Sequence, residues 1–246
     1  MKAYLRQQAE KLLENYSKNK YRDYCILYME HKRLTLFAGH YGSGKTNIAV
    51  NYAMLLAKEG KKVCIADLDI VNPYFRTKDS EKELQENGIT LICSQYANSN
   101  VDLPAIPAES YRLVQDKSCF GVIDIGGDDR GAYALGRFAD AIKAEGNYRM
   151  AFVLNRYRPL TSTVSDTIEI MREIEAACGI KFNCIVNNSN IGAETTADIV
   201  LDSLAFAQEL SDKTGLPIWI HTVEKSVAEN LSELPTLPLS LQKKIF

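Results

Sequence analysis

Residues 39–46 read Gly-His-Tyr-Gly-Ser-Gly-Lys-Thr. No other stretch constrains the fold as strongly. Glycine at 39, 42 and 44 lets the backbone curl through conformations closed to other residues, so that several N–H groups can point to one side. The apolar run Leu34–Ala38 before the curl reads as a strand, and 45–58 after it reads as a helix. A strand, a glycine-rich curl and a helix N-terminus together make a cradle for phosphate, because orphan amides and the helix dipole both favour an anion there. Gly39, Gly42, Ser43, Gly44, Lys45 and Thr46 are therefore the candidate phosphate-binding residues. Lys45 would reach the outer phosphates and the Thr46 hydroxyl would bind magnesium. A dinucleotide loop needs G-x-G-x-x-G. The run from Gly39 to Gly44 lacks that spacing, and such a loop leaves Lys45 and Thr46 unexplained.

Downstream, short apolar runs alternate with helical patterns. Strands are expected at 63–66, 89–93, 120–125, 150–154, 182–186 and 217–220, a second glycine-rich loop at 126–131, and helices at 80–87, 109–117, from the end of that loop to about 143, 162–177, 195–213 and 223–232. Gly60, Gly179 and Gly215 stand where three of the helices should stop. The pattern predicts an α/β fold, a three-layer α/β/α sandwich with a mostly parallel central sheet. Pro217 places the 217–220 strand at a sheet edge, and 233–246 reads as a proline-punctuated tail. Two domains of unequal size follow: an N-terminal helical extension over 1–33 and a nucleotide-binding domain over 34–246. The irregular stretch 94–109 is long enough to suggest a functional loop.

Ligands of open parallel sheets bind at the carboxyl ends of the strands, and the acidic clusters fall there. Asp124 lies near the end of the run Phe120–Ile125 and can hold magnesium, with Gly126 and Gly127 just after that run. Asp67 and Asp69 follow the second strand and share a face if the chain stays extended. Asp67 is the further metal candidate. Asp69 is a catalytic candidate, as is Lys45. Arg76 and Arg130 are candidate phosphate contacts.

Lys plus Arg number 29 and Asp plus Glu 31, so net charge is -2 and no global basic surface points to nucleic acid. Segment 1–33 differs. It holds eight Lys or Arg, four Asp or Glu and five tyrosines, and 2–20 has the period of an amphipathic helix. It suits packing on the main domain, or contact with a protein, nucleic acid or membrane surface. The cysteines at 25, 64, 93, 119, 178 and 184 form no CxxC pair, as expected of buried thiols in a reducing compartment. No secretory leader and no span of 18 apolar residues is seen, so the expected location is cytoplasmic and membrane targeting is not expected.

Four stretches together resemble the deviant-Walker-A ATPases of the MinD/ParA/Mrp type, within the CobQ/CobB/MinD/ParA group of P-loop NTPases. They are His40-Tyr-Gly-Ser-Gly-Lys45-Thr46, Ala66-Asp-Leu-Asp69, Val122-Ile-Asp-Ile-Gly-Gly127 and Ile185-Val-Asn-Asn188. The resemblance implies a sheet of seven or eight strands, ATP with Mg²⁺, slow hydrolysis and a nucleotide-dependent homodimer. It implies that Asp69 positions water, that Asp124 belongs to the second acidic motif and that Gly127 lies near the switch glycine. It implies that Asn187, or Asn188 one residue on, reads adenine. Relatives carry a second lysine where this chain has His40. Histidine is shorter and less basic, so the intersubunit lysine contact is absent as relatives make it.

Three functions stay open on these residues. A slow ATPase switch with an unidentified protein partner comes first. A nucleotide-binding assembly module without turnover is favoured by His40. A small-molecule kinase or ligase would use 94–109, Arg156 and Arg158 to shape an acceptor site.

Overall fold

The computed structural model describes residues 30–68, 77–92, 110–127, 129–231, 234 and 236–241. The helix expected over 2–20, Asp69, Arg76, the 94–109 loop, Asp128, Cys25 and Cys93 lie outside the described residues, and Arg130 is described in its backbone alone.

Eight strands form one sheet: β1 (Leu34–Ala38), β2 (Val63–Leu68), β3 (Thr90–Ile92), β4 (Phe120–Ile125), β5 (Tyr148–Leu154), β6 (Cys184–Asn187), β7 (Ile218–Glu224) and β8 (Thr236–Leu239). Their order is β3-β2-β4-β1-β5-β6-β7-β8, and every neighbouring pair is parallel. Parallel neighbours need crossovers. The helices that accompany them are α1 (Lys45–Lys58), α2 (Glu81–Glu86), α3 (Ser110–Gln115), α4 (Asp129–Gly136), α5 (Ala139–Glu145), α6 (Val164–Cys178), α7 (Ala197–Thr214) and α8 (Lys225–Ala228).

Strand alternation sorts the core into two layers. Leu34, Leu36 and Ala38 of β1 pack with Leu135, Phe138, Ile142, Met171 and Leu210 from α4 to α7. Phe37 points the other way, into Ile48, Ala49, Tyr52, Ala53 and Leu56 of α1 and Leu84 of α2. Those α1 residues recur at helical spacing and form its buried stripe. Thr163 and Thr196 cap α6 and α7 by accepting from the amides of Asp166 and Ile199, and Gly179 and Gly215 end them at φ 69 and 71.

Three expectations need correction. The 217–220 strand is not at the edge. It runs to Glu224 and pairs with β8, formed by residues read as tail. The proline that marks the edge is Pro238 of β8, where a missing N–H costs no ladder bond on the open side. The helix expected between the 126–131 loop and about 143 is two helices, broken between Gly136 and Ala139, and the first already begins at Asp129, inside the residues expected as loop. The helix expected over 223–232 shortens to α8 because β7 takes the residues before it.

Two buried polar groups tie the layers together. Arg33 makes a two-point ion pair with Glu145, and its Nη1 donates to the carbonyls of Leu113 at 2.8 Å and Cys119 at 3.3 Å. Both side chains are almost fully buried. His221 of β7 lies with its Nδ1 3.2 Å from Asn187 Nδ2, so Nδ1 accepts and the ring is neutral. The same amide donates to Ser203 of α7 at 2.9 Å. Burial pulls the His221 pKa down to about 4.

Glu145→Ala leaves the Arg33 charge buried without its carboxylate, and denaturant unfolding should show a loss of about 3–5 kcal/mol. Below pH 6.5 the unfolded chain protonates its histidine while folded His221 does not, so stability falls as pH drops from 6.5 towards 4. The expected loss is about 3 kcal/mol. His221→Gln should remove that slope. A difference from wild type that stays constant with pH would contradict it.

Candidate functional site

The glycine-rich curl lies between β1 and α1 at the carboxyl edge of the sheet. β1 is central, with β4 on one side and β5 on the other, and the winding of the sheet reverses there. Gly44 precedes α1 in the left-handed conformation at φ 92. A Cβ at Gly44 would also stand 2.3 Å from Asn188 Nδ2, so any other residue would both strain the loop and collide. Unlike α6 and α7, α1 has no side-chain cap, and no acidic residue stands in its first turn. Its N-terminal dipole favours an anion there. Lys45 and Thr46, the first two residues of the helix, are buried, and Lys45 Nζ donates to the carbonyl of His40 at 3.3 Å.

The second glycine-rich loop closes on the first. A Cβ at Gly127 would stand 2.7 Å from the Tyr41 amide nitrogen and 2.9 Å from Lys45 Nζ. Only glycine permits that approach. A shift of Gly127 would therefore press directly on Tyr41 and Lys45.

Asp67 and Asp124 are register partners at the ends of β2 and β4. Val63 and Ile65 of β2 and Val122 of β4 pack on the α1 layer, so alternation turns Asp67 and Asp124 to that side as well. Both are buried. Thr77, fully buried, bridges them: its amide donates to Asp67 Oδ2 and its hydroxyl to Asp124 Oδ2, each at 3.2 Å. Two carboxylates and a threonine hydroxyl beside a phosphate cradle are hard oxygen donors of the kind magnesium takes with substrate phosphates. Among the described residues, no group of three or more His, Cys, Asp or Glu is arranged to hold a metal by itself.

The two asparagines after the fourth motif separate. Asn187 is the last residue of β6 and faces α7. Its amide nitrogen goes to Ser203 and His221, and its Oδ1 accepts from the amide and hydroxyl of Ser189. Asn188 turns to the opposite side. Its Nδ2 donates to the carbonyl of Ser43 at 2.7 Å, and its Oδ1 accepts from the Thr222 hydroxyl at 2.7 Å. The tip of β6 thus grips the phosphate loop.

Sequence reading missed Thr77, Thr222 and the place of Arg158. Thr77 follows Asp67 by ten residues and belongs to no motif. Thr222 had a signal: a polar pair, His221-Thr222, flanked by the apolar residues Ile218–Ile220 and Val223. Arg158 was read only as part of an acceptor site, yet its Nε donates to the Gly42 carbonyl at 2.9 Å. His40 is partly exposed, with its Nδ1 3.0 Å from the Tyr41 carbonyl.

Residues 34–191, more than half of the chain, match the family model described as the CobQ/CobB/MinD/ParA nucleotide binding domain. No curated protein matches the chain. Among solved structures, the cell division protein FtsY from Thermotoga maritima is similar at TM-score 0.53 and 17% identity, over 85% of this chain and 68% of that one. FtsY from Mycoplasma mycoides gives TM-score 0.51 and 18% identity, over 85% and 67%. The Signal Recognition Particle 54 kDa protein from Aeropyrum pernix K1, solved with GDP, gives 0.52 and 18%, over 87% of this chain and 46% of its own. At such identities the likeness speaks for the fold alone, that of a P-loop NTPase. The sheet, the phosphate loop and the family match agree, and the chain belongs to the CobQ/CobB/MinD/ParA nucleotide-binding family.

Proposed function

We propose that the chain binds ATP with Mg²⁺, hydrolyses it slowly and works as a nucleotide-dependent switch. The observation that carries this reading is the uncapped start of α1, with Lys45 and Thr46 buried beside two carboxylates bridged by Thr77. The amides of residues 42–46 hold the phosphates. Lys45 offsets the charge that develops on the outer phosphates during in-line attack by water. Thr46, Asp67 and Asp124 hold Mg²⁺, whose chemistry is to spread that charge further. Asp69 orients the water. Of the two asparagines, Asn188 is better placed to read adenine. It adjoins the cradle, and its amide nitrogen keeps a second hydrogen. Asn187 then supports it from the α7 side.

The switch signal passes from the phosphates to the loop at Gly126 and Gly127 through the contact of Gly127 with Tyr41. Tyr41 is 55% exposed, and Tyr133, on α4 just beyond that loop, is 65% exposed. We assign this face to a second copy of the chain or a protein partner that reads the bound state. Among the described residues no helix is long and apolar enough to cross a membrane.

Single-turnover hydrolysis of ATP tests the enzyme. Lys45→Ala and Asp69→Ala should each slow it by about 10²–10³-fold. Rates equal to wild type contradict the ATPase, and tight ATP–Mg²⁺ binding without any turnover reduces the protein to an assembly module. Thr77 gives a separate test. Thr77→Val should raise the Mg²⁺ concentration needed for half-maximal ATP binding by about tenfold, and Thr77→Ser should restore it. An unchanged Mg²⁺ dependence would leave Thr77 a purely structural role.

A further inference from the structure

The phosphate loop carries one charged residue of its own, Lys45. A second cation nevertheless lies on it. Arg158, in the turn after β5, donates from Nε to the Gly42 carbonyl at 2.9 Å. Its guanidinium covers Gly42 so closely that a Cβ there would stand 3.4 Å from Nε and 3.5 Å from Cζ. Among the described residues, its Nη1 and Nη2 groups make no hydrogen bond or ion pair. Arg158 is exposed, and the bond to Gly42 holds its Nε on the loop while its two outer nitrogens stay available to a ligand.

The turn that presents Arg158 is rigid. Asn155 is fully buried, and its Oδ1 accepts from the amides of Tyr157 and Asn190 while its Nδ2 donates to the Asn190 carbonyl. Its own carbonyl accepts from the Arg158 amide at 3.1 Å and from the Thr161 hydroxyl at 2.5 Å. Arg156, two residues earlier, is committed elsewhere: it donates to the Asp202 carbonyl and lies over Phe206. Of the two arginines in this turn, only Arg158 is turned to the phosphate loop.

We propose that Arg158 is a catalytic arginine supplied in cis, whose free guanidinium nitrogens contact the terminal phosphate of the bound nucleoside triphosphate. It adds a second cation to the one that Lys45 supplies. This rests on the nucleotide-binding reading above and goes further, because it assigns terminal-phosphate recognition to a residue outside both glycine loops. A cation positioned there also stabilises charge in the transition state of phosphoryl transfer.

The test compares equilibrium binding of ADP with that of a non-hydrolysable ATP analogue, both with Mg²⁺, and repeats the pair with GDP and a GTP analogue. Arg158→Ala should weaken the triphosphate analogue by about tenfold or more and leave the diphosphate within about twofold. Arg158→Lys, which keeps charge but not the fork, should fall between. If wild type turns over, Arg158→Ala should also slow single-turnover hydrolysis by about 10³-fold. Equal weakening of diphosphate and triphosphate would mean that Arg158 only stiffens the loop through Gly42, and overturns the proposal. So does no change in either. Wild type that binds no nucleotide at all would instead overturn the functional reading beneath it, and this proposal with it.

Discussion

Asp67 and Asp124 bring two carboxylates out of bulk water at neighbouring strand ends, one strand spacing apart. Buried like charges are costly unless cations and hydrogen-bond donors answer them. The surrounding structure follows from that need. Thr77 gives one amide and one hydroxyl. Lys45 projects from the start of α1 towards Gly127, just beyond the end of β4. The start of α1, which has no side-chain cap, favours the opposite partner, an anion. A site that pairs buried carboxylates with an anion cradle is balanced by a divalent cation bound together with a polyphosphate.

The sheet supplies the precision this needs. A parallel strand buried on both faces has no freedom to slip, because a one-residue shift would exchange its two layers. The register of β2 on β4 therefore fixes Asp67 opposite Asp124. The same alternation divides Asn187 from Asn188. One joins the buried network with Ser203 and His221, and the other reaches Ser43. The phosphate loop is thus held from three sides: by Gly127 after β4, by Arg158 after β5 and by Asn188 after β6.

Much of this was legible in the sequence. The glycine loop names its own strand and helix, and the alternation of apolar runs with helical periods gave the layer order and the parallel sheet. The same pattern puts Asp67 and Asp124 near strand ends and Lys45 and Thr46 at the start of a helix, where the structure has them. The rest was not legible, for physical reasons. β8 is short and contains Pro238, so local propensity speaks against a strand that tertiary pairing with β7 creates. Thr77 and Arg158 act through contacts spanning 47 and 116 residues, and no local pattern encodes those. Asn187 and Asn188 are adjacent in sequence, and only their positions at and beyond the end of β6 separate their roles.

The central claim is that the start of α1 receives the phosphates of a nucleotide. Amide hydrogen exchange with and without ATP and Mg²⁺ tests it most directly, because the claim concerns backbone N–H groups. The account predicts strong protection across residues 40–47, with weaker protection at 124–127 and 156–158. Unchanged exchange in 40–47, or protection confined to another edge of the sheet, would contradict it.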